Sequence, residues 1–362
     1  MKKYFVLILL LLAFYLPSHA ELADTIWTHP IAGEVISVKF SPDGKYIYEA
    51  NKTNIINKID VETNKIVTEY KTPFGVLIMD VSQDGKYLVA GCNASMVLIN
   101  SESGEIIKEY IFPLYTGLDK YVLLILHSLS ISFDNKYIGV ACNGGNSINE
   151  SQSNITIWNL ETGDMVFNNI EKQFYYKYFA FSPTENKYAV SFMNNIPNKK
   201  IPINLYEVET WKLIKQFEGQ IFSIDGLKFS KNGNFLTSWS NSGVDDIIKI
   251  WDMKTMTLKH NLNGVKNLIT IVWDVCFLDD STIIASAENY INSQYRWQFI
   301  LLNLNKQTKS IIDEGQSFID TYSNSSKKYL ILGDHILKLY NLDKTLDVST
   351  VNSASIILYP NP

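Results

Sequence analysis

The stretch Phe40-Ser41-Pro42-Asp43-Gly44-Lys45-Tyr46 recurs in approximate copies along the chain. Val81-Ser82-Gln83-Asp84-Gly85-Lys86-Tyr87 is nearly identical to it, Ile131-Ser132-Phe133-Asp134-Asn135-Lys136-Tyr137 is close, and the copy from Phe181 to Tyr188 reads as carrying one extra residue. Phe229-Ser230-Lys231-Asn232-Gly233-Asn234-Phe235 follows, and weaker copies start at Phe277 and Tyr322. The starts are spaced roughly 41 to 50 residues apart, the period of four-stranded propeller blades rather than of helical repeats. Seven units follow from the count.

Each unit reads as strand, tight turn, strand. Proline presets φ, aspartate bonds its own backbone and glycine supplies a positive φ, while apolar alternation flanks the turn. A second signature comes later in the unit. Ile155-Thr156-Ile157-Trp158-Asn159 is the clearest case, with Ile248-Lys249-Ile250-Trp251-Asp252, Asn204-Leu205-Tyr206-Glu207 and Leu337-Lys338-Leu339-Tyr340-Asn341 as relatives. A shorter run such as Met165-Val166-Phe167 or Leu213-Ile214-Lys215 then completes four strands. The expected fold is all-β, a seven-bladed propeller of four-stranded antiparallel blades. Thr25-Ile26-Trp27-Thr28 resembles a strand without a blade of its own, so residues 24–30 are expected to pair with residues 336–342 and close the ring.

The unit resembles that of WD-repeat and YVTN-like bacterial seven-bladed propellers, through Phe-Ser-Pro-Asp-Gly at 40–44, Ile-Trp-Asn at 157–159 and Ile-Trp-Asp at 250–252. The likeness extends over residues from about 24 to 343. It departs from the family at the Gly-His pair before the first strand, since His29 is out of place and the other units have no such histidine. The hydrogen-bonded His, Ser/Thr, Asp and Trp network of WD repeats is therefore not expected here.

The ends of the chain point to export. Lys2 and Lys3 precede an uncharged run from Tyr4 to Leu16, and Ser18-His19-Ala20 offers small residues for a signal peptidase. Residues 1–20 are expected to be a signal peptide cleaved after Ala20; a retained anchor is the alternative, for which the run is short. Residues 21–343 are the propeller, and the mature chain is expected to hold no transmembrane segment. Ser355-Ile356-Ile357-Leu358-Tyr359-Pro360-Asn361-Pro362 resembles the opening of the C-terminal sorting domain of type IX secretion substrates. Residues 344–362 are thus expected to be a linker and the truncated start of such a domain, with Tyr359, Pro360, Asn361 and Pro362 as its motif. The resemblance implies the type IX machinery as a partner and a secreted or cell-surface location, or a periplasmic one if the signal does not work. A frayed proline-rich tail is the alternative.

Charge and cysteine content narrow the function. Without Lys2 and Lys3 the chain has 30 Lys and Arg against 37 Asp and Glu, a net charge of −7 that disfavours nucleic acid. Cys92, Cys142 and Cys276 are expected to be small buried hydrophobes, because an odd count with equivalent positions in neighbouring blades does not make a disulfide framework. The five histidines are scattered without metal-ligand spacing, and there is no nucleophile elbow or phosphate-cradling loop. Asp245-Asp246 and Asp279-Asp280 read as solvated turns. No cofactor, metal or catalytic residue is expected, and the chain is expected to be a monomer.

One face carries the long connections. The short turns lie on one end of the ring, whereas the insertions 143–153, 194–200, 240–246, 288–294, 113–121 and 171–178 fall on the other. They hold Tyr115, Asn146, Asn149, Tyr175, Tyr176, Asn195, Tyr290, Tyr295 and Trp297 as candidate binding residues. Rings beside amides suit a protein or glycan ligand; the alternative is that Tyr175, Tyr176 and Trp297 pack between blades. The expected function is an exported, non-enzymatic binding or scaffold propeller. Its alternative is an enzyme of the lactonase, dehydrogenase or lyase type at the channel mouth, which carboxylate, His or Arg side chains clustered there on the loop-rich face would favour.

Overall fold

The computed structural model describes residues 24–31, 33–92, 95–112, 123–145, 152–171, 175–193, 200–221, 223–241, 247–262, 271–291, 294–306, 308–314, 318–324, 327–333 and 336–342. They form seven four-stranded antiparallel sheets. After β1 (Asp24–Pro30), blade 1 is β2 (Val35–Phe40), β3 (Tyr46–Asn51), β4 (Ile55–Asp60) and β5 (Ile66–Lys71). Blade 2 is β6 (Val76–Val81), β7 (Tyr87–Cys92), β8 (Ser95–Asn100) and β9 (Ile106–Ile111). Blade 3 is β10 (Leu123–Ile131), β11 (Tyr137–Gly145), β12 (Gln152–Asn159) and β13 (Met165–Glu171). Blade 4 is β14 (Tyr175–Phe181), β15 (Lys187–Met193), β16 (Pro202–Glu207) and β17 (Leu213–Glu218). Blade 5 is β18 (Gly226–Phe229), β19 (Phe235–Trp239), β20 (Ile248–Asp252) and β21 (Thr257–Leu262). Blade 6 is β22 (Ile271–Asp279), β23 (Thr282–Ile291), β24 (Gln294–Asn303) and β25 (Thr308–Glu314). Blade 7 is β26 (Phe318–Ser323), β27 (Lys328–Gly333) and β28 (Ile336–Asn341), completed by β1.

The repeated turn works as its residues dictate. In blade 1 the Ser41 hydroxyl donates to Asp43 Oδ1 at 2.6 Å and accepts the Tyr46 N–H at 2.9 Å, while Gly44 takes φ +71°. Blades 2 and 3 repeat both bonds through Ser82 and Ser132, and blade 5 through Ser230 with Asn232 in place of aspartate. The residue after each third strand then donates its N–H back to that turn in all seven blades, from Val61 to the Lys45 carbonyl through Leu342 to the Lys328 carbonyl. In blade 4 the turn is no longer than the others. Phe181 pairs with Tyr188 as Phe40 pairs with Ile47, so the Lys-Tyr pair has moved one place and Tyr188 fills the core position. In blade 7 it is Thr321, opposite Leu330, that takes the place of Phe40, and Tyr322 falls one position later.

The inner strands stand side by side around a central channel, and β26 returns against β2. Among the described residues there are seven apolar clusters, each shared by two adjacent blades. Cys92, Cys142 and Cys276 are buried free thiols, as their setting in the strands led one to expect.

Closure is made by β1. It pairs antiparallel with β28 from Asp24↔Asn341 to Pro30↔Ile336, the pairing expected from the sequence. Trp27 Nε1 donates to the Val61 carbonyl of blade 1 at 2.8 Å. Outer-strand Tyr70 does the same to the Ser101 carbonyl of blade 2 at 2.6 Å, and Tyr110 to the Leu160 carbonyl of blade 3 at 3.3 Å. A strand from the other end of the chain therefore makes the same inter-blade bond as the outer strands in sequence.

Two outcomes test this account. Deleting residues 24–30 uncovers the edge of β28 and removes the Trp27 bond; soluble monodisperse protein is then expected to be lost in size-exclusion chromatography, and a normally folded deletion variant would refute the closure. The second concerns Glu49, fully buried on β3 with its Oε2 accepting from Asn57 at 2.7 Å. Burial pushes its carboxyl above the ordinary 4.5, an effect that hydrogen bonds from Asn57 and Asn51 only partly offset. The unfolded chain thus loses this proton first, and stability falls as pH rises from 4.5 through the folded value. Glu49→Gln is expected to remove that decline and to melt higher than wild type at pH 7 in thermal scans across pH 4 to 8.

Candidate functional site

The channel wall carries a set of charged side chains that sequence periodicity did not mark. Lys39 on β2 lies 3.6 Å from Asp80 on β6, and Lys228 on β18 lies 2.5 Å from Asp274 on β22. Lys228 Nζ also reaches Cys276 Sγ at 3.4 Å. Burial would lower the Lys39 ammonium, but Asp80 and Asp320 outweigh it and hold it above its usual value. Asp274 does the same for Lys228 against the cost of burial. Burial pushes the Cys276 thiol up to about 12, which keeps it protonated at neutral pH and a poor nucleophile.

The carboxylates are already engaged with backbone. Asp80 Oδ2 accepts the Ile131 N–H of blade 3 at 2.9 Å, and Asp320 Oδ2 accepts the Phe40 N–H of blade 1 at 2.8 Å. Asp274 accepts from Val275 at 2.9 Å and Ile319 at 3.4 Å, while Ser128 and Ser130 accept from Phe179 and Phe181 of blade 4. The free edge of each inner strand would otherwise leave N–H groups unpaired in the channel, so these side chains latch one blade to the next. The cluster braces the ring, and its carboxylates are held by ammonium and N–H donors.

The short-turn end is packed. Asn135 accepts from the Gln83 N–H at 3.0 Å, Asn232 and Asn234 both donate to Asp280, and Lys231 Nζ sits 5.7 Å from the Tyr322 ring two blades away. Tyr322 also lies over Gly44, where a Cβ would come within 2.5 Å of the ring.

The opposite end is uneven. The second and third strands have 6 residues each in blade 1 but 10 each in blade 6, so the blade 6 hairpin rises about 13 Å further. The connection expected at 288–294 is mostly strand: residues 288–291 end β23 and residue 294 begins β24, with only positions 292 and 293 between them. Alternation in Glu-Asn-Tyr-Ile and Gln-Tyr-Arg-Trp continues the ladder, with Glu288↔Trp297, Asn289↔Arg296, Tyr290↔Tyr295 and Ile291↔Gln294. Blade 3 has a second long hairpin, of 9 and 8 residues. Tyr175 and Tyr176 also lie in a strand and not in a connection, at the start of inner strand β14 opposite Met193 and Phe192.

Three of the expected site residues, Tyr290, Tyr295 and Trp297, are thereby brought onto one hairpin. Trp297 is half-buried with its ring 5.5 Å from that of Trp273, tilted by 43°. Trp273 was missed in the sequence. It occupies a β-bulge between Val272 and Asp274, so that it turns outward while Val272 and Val275 remain buried. It is 42% exposed, and its carbonyl accepts from Trp239 Nε1 at 3.3 Å. Matching bulges fall at Ile36, Leu77, His127 and Lys177 on the inner strands of blades 1 to 4. Tyr115, Asn146, Asn149 and Asn195 lie outside the described residues, as do Tyr359 to Pro362.

Comparison with known families agrees with this architecture. The WD domain, G-beta repeat matches residues 211–252, from the turn before β17 to the end of β20. The cytochrome D1 heme domain, likewise a propeller, matches residues 30–110, which span blades 1 and 2. Those residues contain no histidine, and Met79, Met96 and Cys92 are buried in blade packing, so that stretch supplies no axial sulfur or imidazole ligand for heme. No curated protein matches the chain. Both family matches are to parts of the chain, and both agree with the propeller architecture, which in this chain is a ring of seven four-stranded antiparallel blades.

Proposed function

We propose that the chain is an exported, non-enzymatic propeller that binds a protein or glycan through its loop-rich face. The observation that carries this reading is the asymmetry of the two ends. On the short-turn end the turns grip one another and Lys231 leans across to Tyr322, while towards the other end the long blade 6 hairpin carries half-buried Trp297 against exposed Trp273 of the inner strand. Rigid aromatic side chains offer large contact area at low entropic cost, which suits recognition. The channel carboxylates, which an enzyme would need free, are occupied in holding blades together.

Residues 1–20 would direct export, and Tyr359 to Pro362 would present the sorting motif to type IX secretion machinery. Protein recovered from the cell envelope is then expected to begin at Glu21; recovery starting at Met1 would refute cleavage. For binding, the immobilised full chain is expected to retain a specific protein or polysaccharide from envelope extracts. A Tyr290→Ser, Tyr295→Ser variant should lose that retention with its melting temperature within about 2 °C of wild type, as for surface substitutions. Retention that survives this change and replacement of Trp297 would overturn the assignment to this face.

A further inference from the structure

We propose that the central channel binds a small oxyanion, such as phosphate, sulfate or a carboxylate group, between the ammonium groups of Lys39, Lys228 and Lys231. The inference is independent of the loop-face reading above. Lys39 and Lys228 hold matching positions, one residue before Phe40 on β2 and Phe229 on β18. Blades 3, 4 and 6 place the short side chains of Ser130, Ala180 and Cys276 there, which leaves the bore to the lysines. The paired carboxylates are set deeper: the side chains of Lys39 and Lys228 are 31% and 34% exposed, those of Asp80 and Asp274 22% and 13%. Cations therefore face the open bore while their counter-charges are sunk in its wall.

Lys231 adds a third cation at the short-turn mouth. The turn itself does not call for it, because Ser230 and Asn232 make the turn bonds, and Pro42, Gln83, Phe133 and Pro183 stand at its position in blades 1 to 4. Lys231 is exposed, and among the described residues its ammonium has no hydrogen-bond acceptor and no carboxylate in contact; its neighbour is the Tyr322 ring at 5.7 Å. Lys39 reaches Asp80 only at 3.6 Å, beyond hydrogen-bond distance. Burial within the ring holds the Lys231 ammonium below its usual value, Asp320 offsets only part of this, and Lys39 and Lys228 add repulsion. Lys39 and Lys228 also repel each other. Three like charges converging on one bore, two of them with unused N–H donors, are matched by an anion whose several oxygens accept from all three. The seven inner strands encircle the position, which limits the ligand to a small ion.

The test is calorimetric titration of the full chain with inorganic phosphate, sulfate and succinate, at an ionic strength held constant with chloride. At least one is expected to bind at one per chain. Phosphate or sulfate binding alone assigns a free tetrahedral oxyanion, and succinate binding assigns a carboxylate. Affinity should fall about tenfold or more in Lys231→Met, which keeps a stem over Tyr322 and removes the charge-assisted bond, and should be largely kept in Lys231→Arg. In the wild-type chain the bound anion should also slow acetylation of Lys231 by an acylating reagent, a readout that does not depend on how the variants fold. Failure of all three anions to bind, undiminished binding in Lys231→Met, or acetylation of Lys231 at an unchanged rate would each overturn the site.

Discussion

The apolar packing between blades is the constraint on which the rest depends, because every cluster found among the described residues joins two neighbours. No blade can bury its faces alone. The cluster between blades 7 and 1 holds nine buried side chains, among them Val35, Ile47, Ile331 and Leu339. At roughly 1.5–3 kcal/mol for each fully buried apolar side chain, an upper estimate, opening that one joint forfeits on the order of 10 kcal/mol. That is comparable with the whole net stability of a domain, about 5–15 kcal/mol. The ring is closed or it does not persist.

This accounts for the devices gathered at the joint. The outer strand of blade 7 comes from the start of the chain, Trp27 reaches the Val61 carbonyl, and Asp320 takes the Phe40 N–H from inside the channel. The first two act at the rim and the third at the hub. The hub latches also account for the charge in the channel. A strand edge facing the channel needs acceptors, an aspartate that supplies one brings a negative charge, and Lys39 and Lys228 compensate it. The outer edges are handled otherwise: bulges at Val67, Ile107, Val166 and Ile214 in the outer strands disturb the ladder where a foreign strand would add.

Features with a local signature were legible in the sequence. The Ser-x-Asp turn of blades 1 to 3, with asparagine for aspartate in blade 5, bonds itself, and its spacing together with the looser copies announced seven blades, while the unpaired Thr25 to Thr28 run foretold where β1 would lie. What could not be read depends on register. In Ile271-Val272-Trp273-Asp274-Val275 strict alternation puts Trp273 beside Val275 in the core, and the bulge adds one residue that reverses its face. Tyr175, Tyr176, Tyr290 and Tyr295 were assigned to connections because they stand among Asn, Gln and Lys, yet the ladder runs through them. The channel latches have no signature at all, since Asp80 and Asp320 find their N–H partners 51 and 280 residues away.

The two ends of the ring follow different rules for the same reason. At the short-turn end each connection is tied to its neighbour, through Gln83 and Asn135 or Asn232 and Asp280, so lengthening one turn would break contacts in the next blade. At the other end the second-to-third hairpins differ in length, and blade 6 has four more residues in each of these strands than blade 1. Backbone pairing extends with the hairpin, so the added length stays ordered as ladder instead of becoming loose loop. Trp297, carried on this hairpin, is half-buried against Trp273 of the inner strand. Length added to this hairpin thus lies apart from the joint between blades 7 and 1 that closes the ring.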